Sequence, residues 1–172
     1  FFDQVIAETV RSKVVVIHLV GSHFPYYRRY PLSHEVFTPS CKSPVLSDCS
    51  PEEIVNAYDN SIRYTDFIIS EFIEKLDTQN NIIPALVYTS DHGESLGEDG
   101  LYLHSTPMGS APLQQTQVPF FIWMSAAYQQ TMGVDTECLK LKAQSQTSHD
   151  NFFHTALGLM DVQTTERLAN LD

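Results

Sequence analysis

Hydrophobic spacing divides the chain into helical and extended stretches. Phe2, Val5, Ile6 and Val10 recur at helical intervals, which predicts a short amphipathic helix over residues 1–10. Residues 13–20 differ: Val14-Val15-Val16-Ile17 is a β-branched run with no polar side chain before His18. Such a run suits a strand buried on both faces, hence an interior parallel strand over residues 14–19. Residues 21–44 break the pattern and are rich in Pro, Ser and aromatic side chains. They read as a long irregular loop, and a loop that long in a compact domain is usually functional.

The next signal is a helix start. Ser50 can cap it, Pro51 suits its first turn, and Glu53 can close a capping box. Ile54, Tyr58, Ile62, Thr65, Ile69, Phe72 and Leu76 then share one face, predicting a helix from 51 to about 76. Asn80-Asn81 ends that unit. A strand is expected at 85–89, followed at once by Ser90-Asp91-His92-Gly93, and another at 118–124, with Pro119 at its start or edge. A last helix is expected over 148–160, capped by Ser148 or Asp150. Strand, long helix, strand is a βαβ pattern. The expected class is therefore α/β, with a mainly parallel sheet flanked by helices, and a right-handed crossover if the strands at 14–19 and 85–89 are neighbours. No internal repeat or linker interrupts it, so residues 1–172 read as one domain.

Composition narrows the function classes. The chain has 172 residues, 42% hydrophobic and 18% charged, which argues against disorder and coiled coil. Ten basic and 21 acidic side chains give a net charge of -11. That balance disfavours nucleic acid as a partner and charge-driven binding to an anionic membrane. The longest apolar stretches, 14–17 and 118–124, are far shorter than the roughly 20 residues of a spanning helix. No signal peptide is expected at the start, where the helical pattern begins directly.

Ligands of open α/β sheets bind beyond the carboxyl ends of the strands. The first expected strand leads into Gly21-Ser22-His23 and the second into Asp91-His92-Gly93-Glu94. Tyr102-Leu103-His104 follows a turn built on Gly97 and Gly100. Asp and His are donors suited to zinc. A lone His after a strand more often caps or satisfies the core, yet His23 and His104 strengthen the metal reading of Asp91 and His92. His18 lies inside a strand pattern and is expected to be buried and hydrogen-bonded. His34, His149 and His154 carry no partner signal. Cys41 and Cys49 flank a Pro-containing loop. They read either as a local disulfide of an oxidising compartment, worth about 2.6 kcal/mol of loop entropy, or as two free thiols of a cytosolic protein. Cys138 is left over.

These residues carry a resemblance. Gly21-Ser22-His23-Phe24-Pro25, Tyr26-Tyr27, Arg29-Tyr30-Pro31, Phe37-Thr38-Pro39 and Cys41 are similar to the active-site loop of bacterial phosphoethanolamine transferases. So are Asn56-Ala57-Tyr58-Asp59-Asn60-Ser61-Ile62 and Ser90-Asp91-His92-Gly93-Glu94-Ser95-Leu96-Gly97-Glu98. Tyr102-Leu103-His104, Ala111-Pro112, Gln115, Val118-Pro119 and Trp123 continue the match, in order, over about 14–125. That is more specific than a lone Asp-His-Gly, which the wider alkaline phosphatase and sulfatase superfamily shares.

The resemblance implies an alkaline phosphatase/sulfatase-like fold, here incomplete at its N-terminal side, and a zinc-dependent catalytic domain in the periplasm. It implies anchoring in the bacterial inner membrane through a segment absent from this chain. The implied reaction moves phosphoethanolamine from a phosphatidylethanolamine donor to lipid A or a related envelope glycan, a modification tied to polymyxin resistance, and a monomer is expected. Asp91 and His92 match the zinc pair. His23 and His104 match histidines that bind a second zinc or the donor phosphate and act in catalysis. Glu94 falls in the substrate-binding part of the motif. Cys41 and Cys49 match one of the family's disulfides.

Phe24 stands where the family has Gly, in a loop one residue shorter, and Ser105 replaces another Gly. The family's nucleophilic Thr and its Glu zinc ligand lie upstream of the first matched strand, so no nucleophile is assigned here. The rival readings are another superfamily member, a sulfatase or phosphoglycerol transferase, and a non-catalytic interaction module of the same fold.

Overall fold

The computed structural model describes residues 2–7, 12–168 and 171. Its contacts gather into two compact units that meet between Asp66 and Phe67.

The first unit opens with helix α1, Phe2–Ala7. The ends of the expected helix, Phe1 and Val10, lie outside the described residues. The expected interior strand at 14–19 is not formed, because residues 12–20 are neither helix nor strand. Val14 is 66% exposed and Val16 89%, and His18 is exposed rather than buried in a core. β-Branched side chains favour an extended backbone, but a strand also needs a hydrogen-bonding neighbour, and none pairs here among the described residues.

The long loop that follows is ordered by short 3-10 turns at Tyr26–Arg28, Leu32–His34 and Leu46–Asp48. Tyr26 is buried, edge-on to Phe24 at 5.4 Å and to Tyr58 at 5.2 Å. Tyr58 belongs to helix α2, Pro51–Asp77. The expected capping box is present: the Glu53 amide donates to Ser50 Oγ at 3.3 Å, and the Ser50 amide donates to Glu53 Oε2 at 2.7 Å.

Buried Asn60 on α2 fastens the loop. Its Oδ1 accepts the amides of Val36 and Phe37 at 2.8 and 2.9 Å, and its Nδ2 donates to the Phe37 carbonyl at 2.8 Å. Cys41 and Cys49 are joined as a disulfide, with Cα atoms 5.6 Å apart. The Cys41 amide donates to the Glu53 carbonyl, tying the bridge to the first turn of α2.

The second unit holds the strands. β1, Ala85–Thr89, leads to the short strands β2, Ser95–Leu96, and β3, Tyr102–Leu103. Helix α3, Leu113–Thr116, precedes β4, Phe120–Met124. Helices α4, Ala126–Met132, α5, Thr136–Lys142, and α6, His149–Leu159, complete it. Ser148 caps α6 in a capping box closed by Asn151.

Strands and helices interleave as the α/β class requires, but the expected parallel order is not found among the described residues. β1 pairs antiparallel with β4, from Ala85↔Met124 to Thr89↔Phe120, and β2 pairs antiparallel with β3. The βαβ reading places the 14–19 run in one parallel sheet with β1; apolar periodicity marks a strand without naming its partner or direction.

Candidate functional site

The motif begins where β1 ends. The Ser90 amide continues the ladder by donating to the Pro119 carbonyl at 3.4 Å, and its hydroxyl donates to the His92 carbonyl at 2.8 Å. The Ser90 carbonyl accepts from Thr89 Oγ1 at 3.1 Å and from His149 Nε2 at 2.8 Å. His149, in the first turn of α6, thus pins the loop from 59 residues away.

Gly93 donates to the Gln115 carbonyl at 2.9 Å and lies against the backbone of Gln114. Past Gly93 the chain enters β2, where Ser95 is fully buried. Gln115 donates through Nε2 to Ser95 Oγ at 2.8 Å and accepts the Thr106 amide on Oε1 at 3.3 Å. One buried amide therefore braces the segments that carry Glu94 and His104. Leu103 has a left-handed backbone, φ 65°, an uncommon state for a branched residue, immediately before His104.

This frame gathers three of the expected site residues. The rings of His92 and His104 stack with centroids 3.7 Å apart. The Nδ1–H of His104 donates to Glu94 Oε2 at 2.6 Å, and the Glu94 side chain is only 6% exposed. One donor atom from each of His92, Glu94 and His104 lies within 4.8 Å of the others. Asp91 sits beside them with its side chain open to solvent, its Oδ1 3.9 Å from His92 Nε2. Asp91 also raises the pKa of Tyr88, second to the larger effect of burial.

The donor set suits zinc, which takes imidazole nitrogens and carboxylate oxygens. Two ligand atoms about 2.0 Å from one tetrahedral zinc lie about 3.3 Å apart. Asp91 Oδ1 and His92 Nε2 need only a small closure from 3.9 Å to meet that spacing. The Nδ1–H of His92 donates to the Gly93 carbonyl at 2.9 Å, so in the neutral ring Nε2 carries the lone pair a metal requires.

His23 belongs to the first unit. Its Nδ1–H donates to the Phe24 carbonyl at 2.6 Å. Arg29 secures the same turn, from Nε to the His23 carbonyl at 2.6 Å and from a terminal nitrogen to the Phe24 carbonyl at 3.2 Å.

The sequence profile of the family described as Sulfatase matches residues 1–162. The chain belongs to the sulfatase family. This sulfatase-family chain is 48% identical, over 155 residues, to the phosphoethanolamine transferase EptA of Salmonella typhimurium, covering 88% of the chain and 28% of that relative. It is similar to the solved soluble domain of lipooligosaccharide phosphoethanolamine transferase A from Neisseria meningitidis. There the TM-score is 0.95 at 41% identity, over 99% of this chain and 52% of that one. It is also similar to the C-terminal periplasmic domain of EcEptC from Escherichia coli, solved in complex with Zn. There the TM-score is 0.70 at 27% identity, over 92% of this chain and 44% of that one. The chain thus spans less than a third of that curated relative and about half of each solved domain. Among the described residues, no helix is long and apolar enough to cross a membrane.

Two residues that brace the candidate site carry no local signal in the sequence. His149 carried no partner signal, because its hydrogen bond to Ser90 depends on how α6 packs. Gln115 was visible only inside the family match, and its bracing role follows from burial that no local pattern encodes.

Proposed function

We propose that this chain is the C-terminal part of a single sulfatase-like catalytic domain in a zinc-dependent phosphoethanolamine transferase. The donor is phosphatidylethanolamine and the acceptor is lipid A or a related envelope glycan. The domain faces the periplasm as a monomer, and the whole protein is held in the bacterial inner membrane by a segment outside this chain. The observation that carries the reading is the Asp91-His92 pair at the end of β1, next to the Glu94–His104 contact, in a chain so similar to a solved transferase domain.

Asp91 and His92 would hold the zinc ion, Asp91 through Oδ1 and His92 through Nε2. Zinc held there would supply Lewis acidity that offsets the negative charge of a phosphoryl group. His104, with Glu94 behind Nδ1, takes up a proton on Nε2 and, as the imidazolium, steadies the phosphoryl group in transit and returns that proton to a leaving oxygen. His23 takes the second such role, a transfer that rests on the family motif. No residue of this chain is assigned as the nucleophile.

The test is transfer by the full-length protein, expressed in a bacterium deleted for its own phosphoethanolamine transferases, with lipid A and envelope glycans analysed by mass spectrometry. The wild type is expected to add phosphoethanolamine, and Asp91→Ala to add none. Lipid A and envelope glycans that both stay unmodified in cells expressing the wild type well, or hydrolysis of sulfate esters instead, contradict the proposal.

A further inference from the structure

We infer that Glu94 is the positioning residue of His104: its carboxylate fixes the proton on Nδ1 and so turns a lone pair on Nε2 toward the ligand. The inference rests on the zinc-site reading above and deepens it.

Four observations carry it. First, Glu94 is nearly excluded from solvent at 6% side-chain exposure, and a carboxylate so placed needs a strong partner. Second, the partner is Nδ1 of His104 at 2.6 Å; an ionised carboxylate only accepts, so that nitrogen donates. In the neutral ring Nε2 then holds the lone pair. Third, the pair is built into a frame. Ser95 pairs with Leu103 across β2 and β3, which sets Glu94 and His104 at adjoining ends of one short ladder. Gln115 braces both flanks through Ser95 and the Thr106 amide. Fourth, His92 has the same proton arrangement, with Nδ1–H on the Gly93 carbonyl, and its ring lies on that of His104 at an interplanar angle of 27°. Two stacked imidazoles thus share one tautomer, each set by an acceptor behind Nδ1.

The competing role for Glu94 is that of a metal ligand with His92 and His104, since their donor atoms do cluster. The roles differ in what the carboxylate holds. As a ligand, Glu94 gives its oxygen to the ion and leaves the tautomer of His104 unset. As a positioning residue, it keeps its oxygen on Nδ1.

The test uses protein labelled with 15N-histidine, free of metal, at a pH where the ring is neutral. Long-range proton–nitrogen correlation reads the tautomer of His104 in the wild type, Glu94→Gln and Glu94→Ala. Zinc titration follows on the same samples, and thermal unfolding checks that each variant is folded. The wild type is expected to show the Nδ1–H form alone. Glu94→Ala is expected to lose it and Glu94→Asp to recover part of it, while Glu94→Gln keeps an amide oxygen that can accept from Nδ1; zinc, held by Asp91 and His92, is expected to bind every variant about as it binds the wild type. An Nε2–H form in the wild type overturns the inference, as does an unchanged tautomer in Glu94→Ala. Loss of zinc binding in Glu94→Gln with the tautomer intact makes Glu94 a ligand and overturns it too. None of these readings requires phosphoethanolamine transfer, so failure of the proposed reaction is distinguishable from failure of this inference.

Discussion

A Cβ atom on residue 93 would stand 2.1 Å from the carbonyl oxygen of Gln114. Backbone on both sides makes that contact, so no side-chain rotation relieves it. The glycine lets the loop between His92 and Glu94 lie flat against the segment that carries Gln115. Gly93→Ala is expected to destabilise the protein by about 2 kcal/mol through overpacking, and to weaken zinc binding by displacing His92. Chemical denaturation and zinc titration measure the two effects. A variant with wild-type stability and zinc affinity contradicts this view of the loop.

The Cys41–Cys49 bridge leaves Cys138 as the free thiol, and it is exposed. Non-reduced protein is expected to react with one equivalent of a thiol reagent without denaturant. Replacing both bridged cysteines with Ser is expected to cost about 2.6 kcal/mol on the loop-entropy account. Three reactive thiols in protein recovered from the periplasm contradict the bridge.

Asp59 on α2 has its pKa raised by partial burial. A carboxyl with a raised folded-state pKa keeps its proton to higher pH when folded, so its ionisation opposes folding. That penalty is absent below the ordinary Asp range and complete above the raised value. Asp59→Asn is expected to raise the denaturation midpoint near pH 7 and to leave it unchanged near pH 3. Glu53 has the opposite sign, because the Ser50 amide and hydroxyl hold its pKa down. Its contribution is present above the ordinary Glu range and lost as pH falls through the depressed value. Equal midpoints for Asp59→Asn and wild type near pH 7 contradict the burial effect.

What could be read from the sequence tracks the reach of each signal. The α2 start was legible because Ser50, Pro51 and Glu53 act on one another within a single turn. β1 and β4 were legible as short apolar runs, and Ser148 as a cap. Pairing was not, because the register of Ala85 with Met124 is set by chain folding between them rather than by either run. The 14–19 stretch misled for the same reason: a β-branched run reports a preference for extended backbone, and Val16 follows it while lying open to solvent. In the candidate site, the closeness of Asp91, His92 and Glu94 was legible because they are consecutive or nearly so after a strand. That His104 meets Glu94 depends on the β2–β3 ladder, and that His149 meets Ser90 depends on the packing of α6.

The most direct test of the account is the zinc content of dialysed protein, measured by inductively coupled plasma mass spectrometry in the wild type, Asp91→Ala, His92→Ala and His34→Ala. His34 lies elsewhere in the chain, with its ring against Tyr64 at 4.8 Å, and serves as the control. The account predicts bound zinc in the wild type and His34→Ala, and a clear loss in Asp91→Ala and in His92→Ala. Zinc retained at the wild-type level by both site variants would contradict it.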